Sequence, residues 1–87
     1  MLSEAMVIAE LTQTCDRYPS QWEGRLDDGR PIYIRFRHDE LSVHIGPMGG
    51  DVGSAADAAA WLELRIPGGG GEIHLSEVLS RTGLRMA

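Results

Sequence analysis

PSQWEGRLDDGRPIYIRFRHDELSVHIG, residues 19–46, is the stretch on which the reading of the chain turns. Three short runs rich in Ile, Val, Tyr, Phe and Trp are separated by Asp-Gly and His-Asp turn signals, the pattern of consecutive hairpins. A three-stranded antiparallel meander is predicted, with strands at about 20–26, 31–37 and 41–46. Opposed residues of an antiparallel pair point to the same side, so the apolar set Trp22, Gly24, Leu26 must face the set Ile32, Ile34, Phe36. A two-residue loop at Asp28-Gly29 sets Trp22 against Arg35 and fails. A three-residue loop, Asp27-Asp28-Gly29, sets Trp22 against Ile34, with Gly29 at the positive-φ position of a bulged turn. An even-length loop around His38-Asp39 then brings Phe36 opposite Leu41, Ile34 opposite Val43 and Ile32 opposite Ile45. The other face carries Gln21, Glu23, Arg25, Tyr33, Arg35, Arg37, Ser42 and His44.

Toward the N-terminus, residues 3–14 carry Ala5, Ile8, Leu11 and Cys15 at helical spacing, with Ser3 placed to cap and Glu4 placed to suit the helix dipole. A helix is expected there, lying on the apolar face, with Cys15 a small buried apolar residue. Tyr18, before Pro19, is expected to be extended. Toward the C-terminus, GPMGGDVG (46–53) reads as a flexible connector. A phosphate loop is disfavoured because no Lys follows the glycines and Asp51 repels an anion. Ser54-x-x-Asp57 has capping-box spacing and starts a helix over 54–60. Residues 62–66 alternate as an edge strand, although a helical stripe through Ala55, Ala58, Ala59, Leu62 and Ile66 is an alternative. A short hairpin between 62–66 and 72–75 is expected across the mobile glycines 68–71. Ser76 caps a last helix over 77–82, with Gly83 closing it. The expected whole is one α+β domain, residues 1–87, with the helices on the apolar face of the sheet.

A chain of 87 residues that folds alone removes only about 60–65 per cent of its unfolded surface from water. Apolar content of 43% and charged content of 24% are those of an ordinary globular protein. A net charge of −5 opposes sequence-independent binding of nucleic acid, which depends on cations neutralising phosphates. All eight basic residues are Arg; a compositional bias of the source genome is the simpler explanation, and a use for planar carboxylate- or phosphate-binding forks is the functional alternative. The single cysteine forms no internal disulfide. No apolar run reaches the roughly 20 residues that span a bilayer, and MLSEAMVIAE places acids where a signal peptide has bases. A cytoplasmic location is the expectation.

The raw material for catalysis is sparse. His38, His44 and His74 lie at no metal-ligand spacing, and there is no nucleophile motif, paired carboxylate or C-x-x-C. No catalytic, metal or cofactor site is expected; a small metal-dependent hydrolase around His38 and His44 is the weakest alternative. The polar sheet face is better furnished. Tyr33, Arg35 and Arg37, with Arg25 and His44 beside them, resemble a platform on which single-stranded nucleic acid stacks. Glu23 opposite Tyr33 and Glu40 opposite Arg37 explain the same arginines as cross-strand ion pairs on a solvated face. Trp61, if 62–66 is a strand, points away from the core as an interface anchor; if not, it completes the core from a helix end. The function expected is therefore that of a non-catalytic protein-binding or inhibitor module, with a homo-oligomer as one form of it and a single-strand nucleic-acid binder as the alternative. The binding residues expected are Arg25, Tyr33, Arg35, Arg37, His44 and Trp61.

PSQWEG (19–24), DGR (28–30), YIRFR (33–37) and LSV (41–43), followed by EVLSRTG (77–83), resemble a pattern in small uncharacterised proteins of actinobacteria and their phages. The resemblance covers about half of the chain and implies an accessory, phage-type or host-defence-related protein that acts by binding. It brings no catalytic or cofactor residue with it, and GPMGGDVGSAADAAA (46–60) has no counterpart in the pattern.

Overall fold

In the computed structural model, residues 6–17, 19–68 and 70–87 are described. Their elements run β1 (Val7–Asp16), β2 (Ser20–Leu26), β3 (Pro31–Arg37), β4 (Glu40–Ile45), α1 (Val52–Asp57), β5 (Ala60–Arg65), α2 (Leu75–Thr82) and β6 (Arg85–Met86). The six strands form one curled sheet in the order β5-β4-β3-β2-β1-β6. Neighbours are antiparallel except β1 and β6, which are parallel. The arrangement is α+β, but the sheet is twice as wide as a three-stranded meander.

At its centre Trp22 stands opposite Ile34, Gly24 opposite Ile32, Ile34 opposite Val43 and Phe36 opposite Leu41. Two turns set this register. The Leu26 N–H donates to the Arg30 carbonyl at 2.8 Å and Gly29 has φ 95°, leaving a three-residue loop. His38 and Asp39 both have positive φ, 54° and 63°, the left-handed pair that joins strands through a two-residue hairpin.

The helix expected over 3–14 is instead strand β1; Ser3, Glu4 and Ala5 of that expectation, and Tyr18, lie outside the described residues. The helical spacing of Ile8 and Leu11 has a different origin. Ile8 pairs with Leu26 and Leu11 with Gly24, with a register shift between Ile8 and Glu10. One extra residue in the strand puts two apolar side chains three apart on the same face, as a helix turn does. A second shift between Gln13 and Cys15 pairs Cys15 with Gln21. The cysteine is therefore half-buried on the polar face, its Sγ 3.4 Å from the Arg17 carbonyl, and is not a core residue.

The expected edge hairpin is also replaced. β5 pairs with β4, Leu64 with Leu41 and Leu62 with Val43, while residues 72–74 form no strand. They run instead as a strap: the Ile73 N–H donates to the Oγ of the buried Ser20, which itself donates to the Asp16 carbonyl at 2.7 Å. Of the glycines expected to be mobile, Gly69 lies outside the described residues and Gly70 donates its N–H to Asp39 Oδ1. α2 starts two residues earlier than expected, from His74 rather than from a Ser76 cap, and ends at Gly83 with φ 79°.

α1 spans Val52–Asp57 rather than 54–60, and its cap is Asp51, whose Oδ1 accepts from the Ser54 N–H at 2.9 Å. Nor does it lie on the apolar face. Ala55 packs on Gly46 and Pro31 at one end of the polar face. The apolar face is covered by α2, whose Val78 is buried with Ile8, Trp22, Ile34, Phe36 and Val43. Complete burial of an aromatic or branched aliphatic side chain contributes about 1.5–3 kcal/mol, so this one-sided core is the source of the fold's stability. No helix among the described residues is long and apolar enough to cross a membrane.

Candidate protein-binding face

One sheet face is closed by α2 and the other is open except where α1 covers its Pro31 end. β3 projects Tyr33, Arg35 and Arg37 onto this open side, β4 projects Ser42 and His44, and β5 brings Glu63 opposite Ser42. Arg35, Arg37, His38, Ser42, His44 and Glu63 line a shallow depression of about 200 Å³. A second hollow of about 230 Å³ lies on the apolar side beside Trp22, bordered by Gln13, Asp16, Glu72 and His74.

The side chains differ in how far they are committed. The Tyr33 hydroxyl donates to Gln21 Oε1 at 2.9 Å, and its ring centroid is 5.9 Å from that of His44, the planes tilted by 56°. His44 Nδ1 is 2.8 Å from the Ala58 carbonyl, which fixes a proton on Nδ1 and orients the ring at the border of the depression. Arg25 stands apart from the expected group. Its guanidinium donates to the carbonyls of Gly29 and Gly50, each at 3.0 Å, and holds the 27–29 loop against the 47–51 connector.

Arg35 and Arg37 are different. Among the described residues, arginine side-chain bonds are made by Arg25, Arg30 and Arg81, and the ion pairs are Arg30 with Asp28 and Arg81 with Glu77. Arg37 and Glu40 are paired in register, as are Tyr33 and Glu23, yet no ion pair joins Arg37 to Glu40, and Glu23 accepts from Gln21. The cross-strand pairing expected to occupy these arginines is not formed. Arg35 and Arg37 therefore leave one strand on the same side from backbone positions about 6.6 Å apart, the two-residue repeat of a β-strand.

Trp61 lies at the start of β5, where a register shift between Val43 and His44 makes it the extra residue, two positions before Glu63 on the same side. It is 45% exposed. The structure thus brings Tyr33, Arg35, Arg37 and His44 together and places Trp61 at their border. Ser42 and Glu63 join them. Ser42 was legible from strand alternation, whereas Glu63 was not, because it reaches the face only through the β4–β5 pairing. His38 reaches the rim of the depression from its turn, and no group of three or more His, Cys, Asp or Glu among the described residues is placed to hold a metal ion.

Two carboxylates elsewhere are tuned by the backbone. The Arg30 N–H, then its guanidinium, holds the Asp28 carboxyl below the usual range, and the Ser54 N–H does the same for Asp51. Neither borders the depression. No family model, curated protein or solved structure matches the chain.

Proposed function

We propose that this is a non-catalytic module that binds another protein through the open sheet face, with Arg35 and Arg37 as the recognition pair. The supporting observation is that both guanidinium groups lie on a rigid central strand with no acidic partner among the described residues. An Arg fork gains most from planar, two-point contact with a carboxylate. An extended partner segment with Asp or Glu at alternate positions repeats at the same spacing of about 6.6 Å and meets both forks at once. Glu23, Glu40 and Glu63 border the pair, which suits a partner of mixed charge and works against a polyanion such as single-stranded nucleic acid. Trp61 supplies exposed apolar area at the rim, the kind of anchor that carries a large share of interface energy.

Affinity capture from lysate of cells that make the protein, run with and without nuclease treatment, tests this reading. The wild-type chain should retain one or a few proteins that an R35A/R37A double variant loses by tenfold or more, while an E77Q variant on the far side retains them. Retention abolished by nuclease favours the nucleic-acid alternative. Proteins retained equally by the double variant would remove the role of the two arginines.

A further inference from the structure

We propose that the outer edge of β5 is a homodimer interface, in which two copies of the chain join their sheets antiparallel with Glu63 of one copy opposite Arg65 of the other. β5 is the last strand of the sheet. Its free hydrogen-bonding groups follow from the ladder on its inner side. The Ile66 N–H donates to the Asp39 carbonyl at 2.8 Å in the same register that pairs Leu64 with Leu41 and Leu62 with Val43. In an antiparallel ladder, residues alternate between bonding the neighbour and pointing away from it. The amides and carbonyls of Trp61, Glu63 and Arg65 therefore point outward, where no strand among the described residues meets them.

Natural sheets protect such an edge with short strands, charged side chains, Pro or a bulge. β5 has a bulge beside Trp61 at one end and Pro67 past the other, but between them its two charges, Glu63 and Arg65, are of opposite sign and so oppose pairing only in registers that set like charges together. Leu62 and Leu64, on the apolar side, are only partly buried against the core. On the polar side, Glu63 and Arg65 have no ion-pair partner among the described residues.

A second copy pairs the outward groups of Glu63 and Arg65 in one register; Trp61 then lies opposite Pro67 of the other copy, which has no N–H for the Trp61 carbonyl, so the ladder ends there. Opposing Glu63 to the partner's Arg65, and by symmetry Arg65 to the partner's Glu63, lets outward-pointing residues exchange backbone hydrogen bonds and forms the same ion pair twice. Leu64 then faces its own counterpart, and Leu62 lies beside the partner's Ile66, completing the apolar side. Shifting the two-fold axis onto Glu63 places two carboxylates directly opposite, which is unfavourable. Because opposed residues of an antiparallel pair point to the same side, the two open polar faces become one continuous surface. The interface itself does not depend on the reading of Arg35 and Arg37.

Charge swapping tests the register. In sedimentation equilibrium at micromolar to millimolar concentration, the wild-type chain should approach twice the mass of a single chain, and R35A/R37A should do the same. E63R and R65E, at exposed positions, should each weaken the dimer at least tenfold, and the E63R/R65E double variant should restore it. Circular dichroism on every variant establishes that the fold is kept. A wild-type chain that stays monomeric throughout, or single variants that dimerise as well as the wild type, would overturn the proposal.

Discussion

Asp51 illustrates how much one side chain decides in a chain this small. Its Oδ1 accepts from the N–H and the hydroxyl of Ser54, at 2.9 and 3.1 Å, and fixes the start of a helix of only six residues. Those bonds favour the ionised carboxylate, so its pKa in the folded chain lies below the unfolded value. A group lowered on folding contributes its full stabilisation above the unfolded pKa and loses it as the pH falls through the folded one. Asp28, lowered by the Arg30 N–H, acts in the same direction. The urea midpoint should therefore decline on acidification below about pH 4, the ordinary carboxylate range. D51A should lower the midpoint at pH 7, and its gap from the wild type should narrow toward pH 2. A gap that widens with acid would contradict this sign. The spacing Ser54-x-x-Asp57 points to a cap three residues too late, because Asp51-x-x-Ser54 has equivalent chemistry and the preceding glycines hide the helix start.

At the level of elements, β1 shows why local pattern fails where long-range pairing decides. Its bulge near Ala9 mimics a helical repeat, and what holds the strand is its pairing with β2 rather than any local preference. The residue that permits the pairing is Gly24. A Cβ there would run into the Glu10 carbonyl, on backbone that cannot swing aside as a flexible side chain can. Gly24→Ala should destabilise the protein by about 1–3 kcal/mol, read as a lower urea midpoint at an unchanged slope. A midpoint equal to that of the wild type would mean that β1 does not approach β2 so closely. The central strands were legible for the opposite reason. Between residues 20 and 45 the turns are two and three residues long, so loop chemistry and alternation suffice to set Trp22, Ile34 and Val43 in one row. Polar alternation likewise gave the open face its Tyr33, Arg35, Arg37 and His44. Glu63 was hidden because β5 joins the sheet across a connector and helix α1, and no local signal chooses β4 over residues 72–75 as its neighbour. Arg25, which sits on the same side, differs only in being within reach of two carbonyls from separate loops.

For the whole molecule, the asymmetry of the sheet is the governing fact. α2 and the strap before it close one face over a core of Trp22, Ile34, Phe36 and Val43. The other face keeps two uncommitted guanidinium groups, an oriented histidine and an exposed Trp at its border. With a net charge of −5, the chain presents these two arginines without a general positive field around them. The most direct measurement is an arginine footprint: phenylglyoxal modification, located by mass spectrometry, of the chain alone and bound to the partner it retains. In the free chain Arg35 and Arg37 should react quickly, and Arg25 and Arg30, already bonded, slowly. In the complex Arg35 and Arg37 should be protected at least fivefold while Arg81 and Arg85 react as before. Equal modification of Arg35 and Arg37 in the free and bound chain would contradict recognition through the open face.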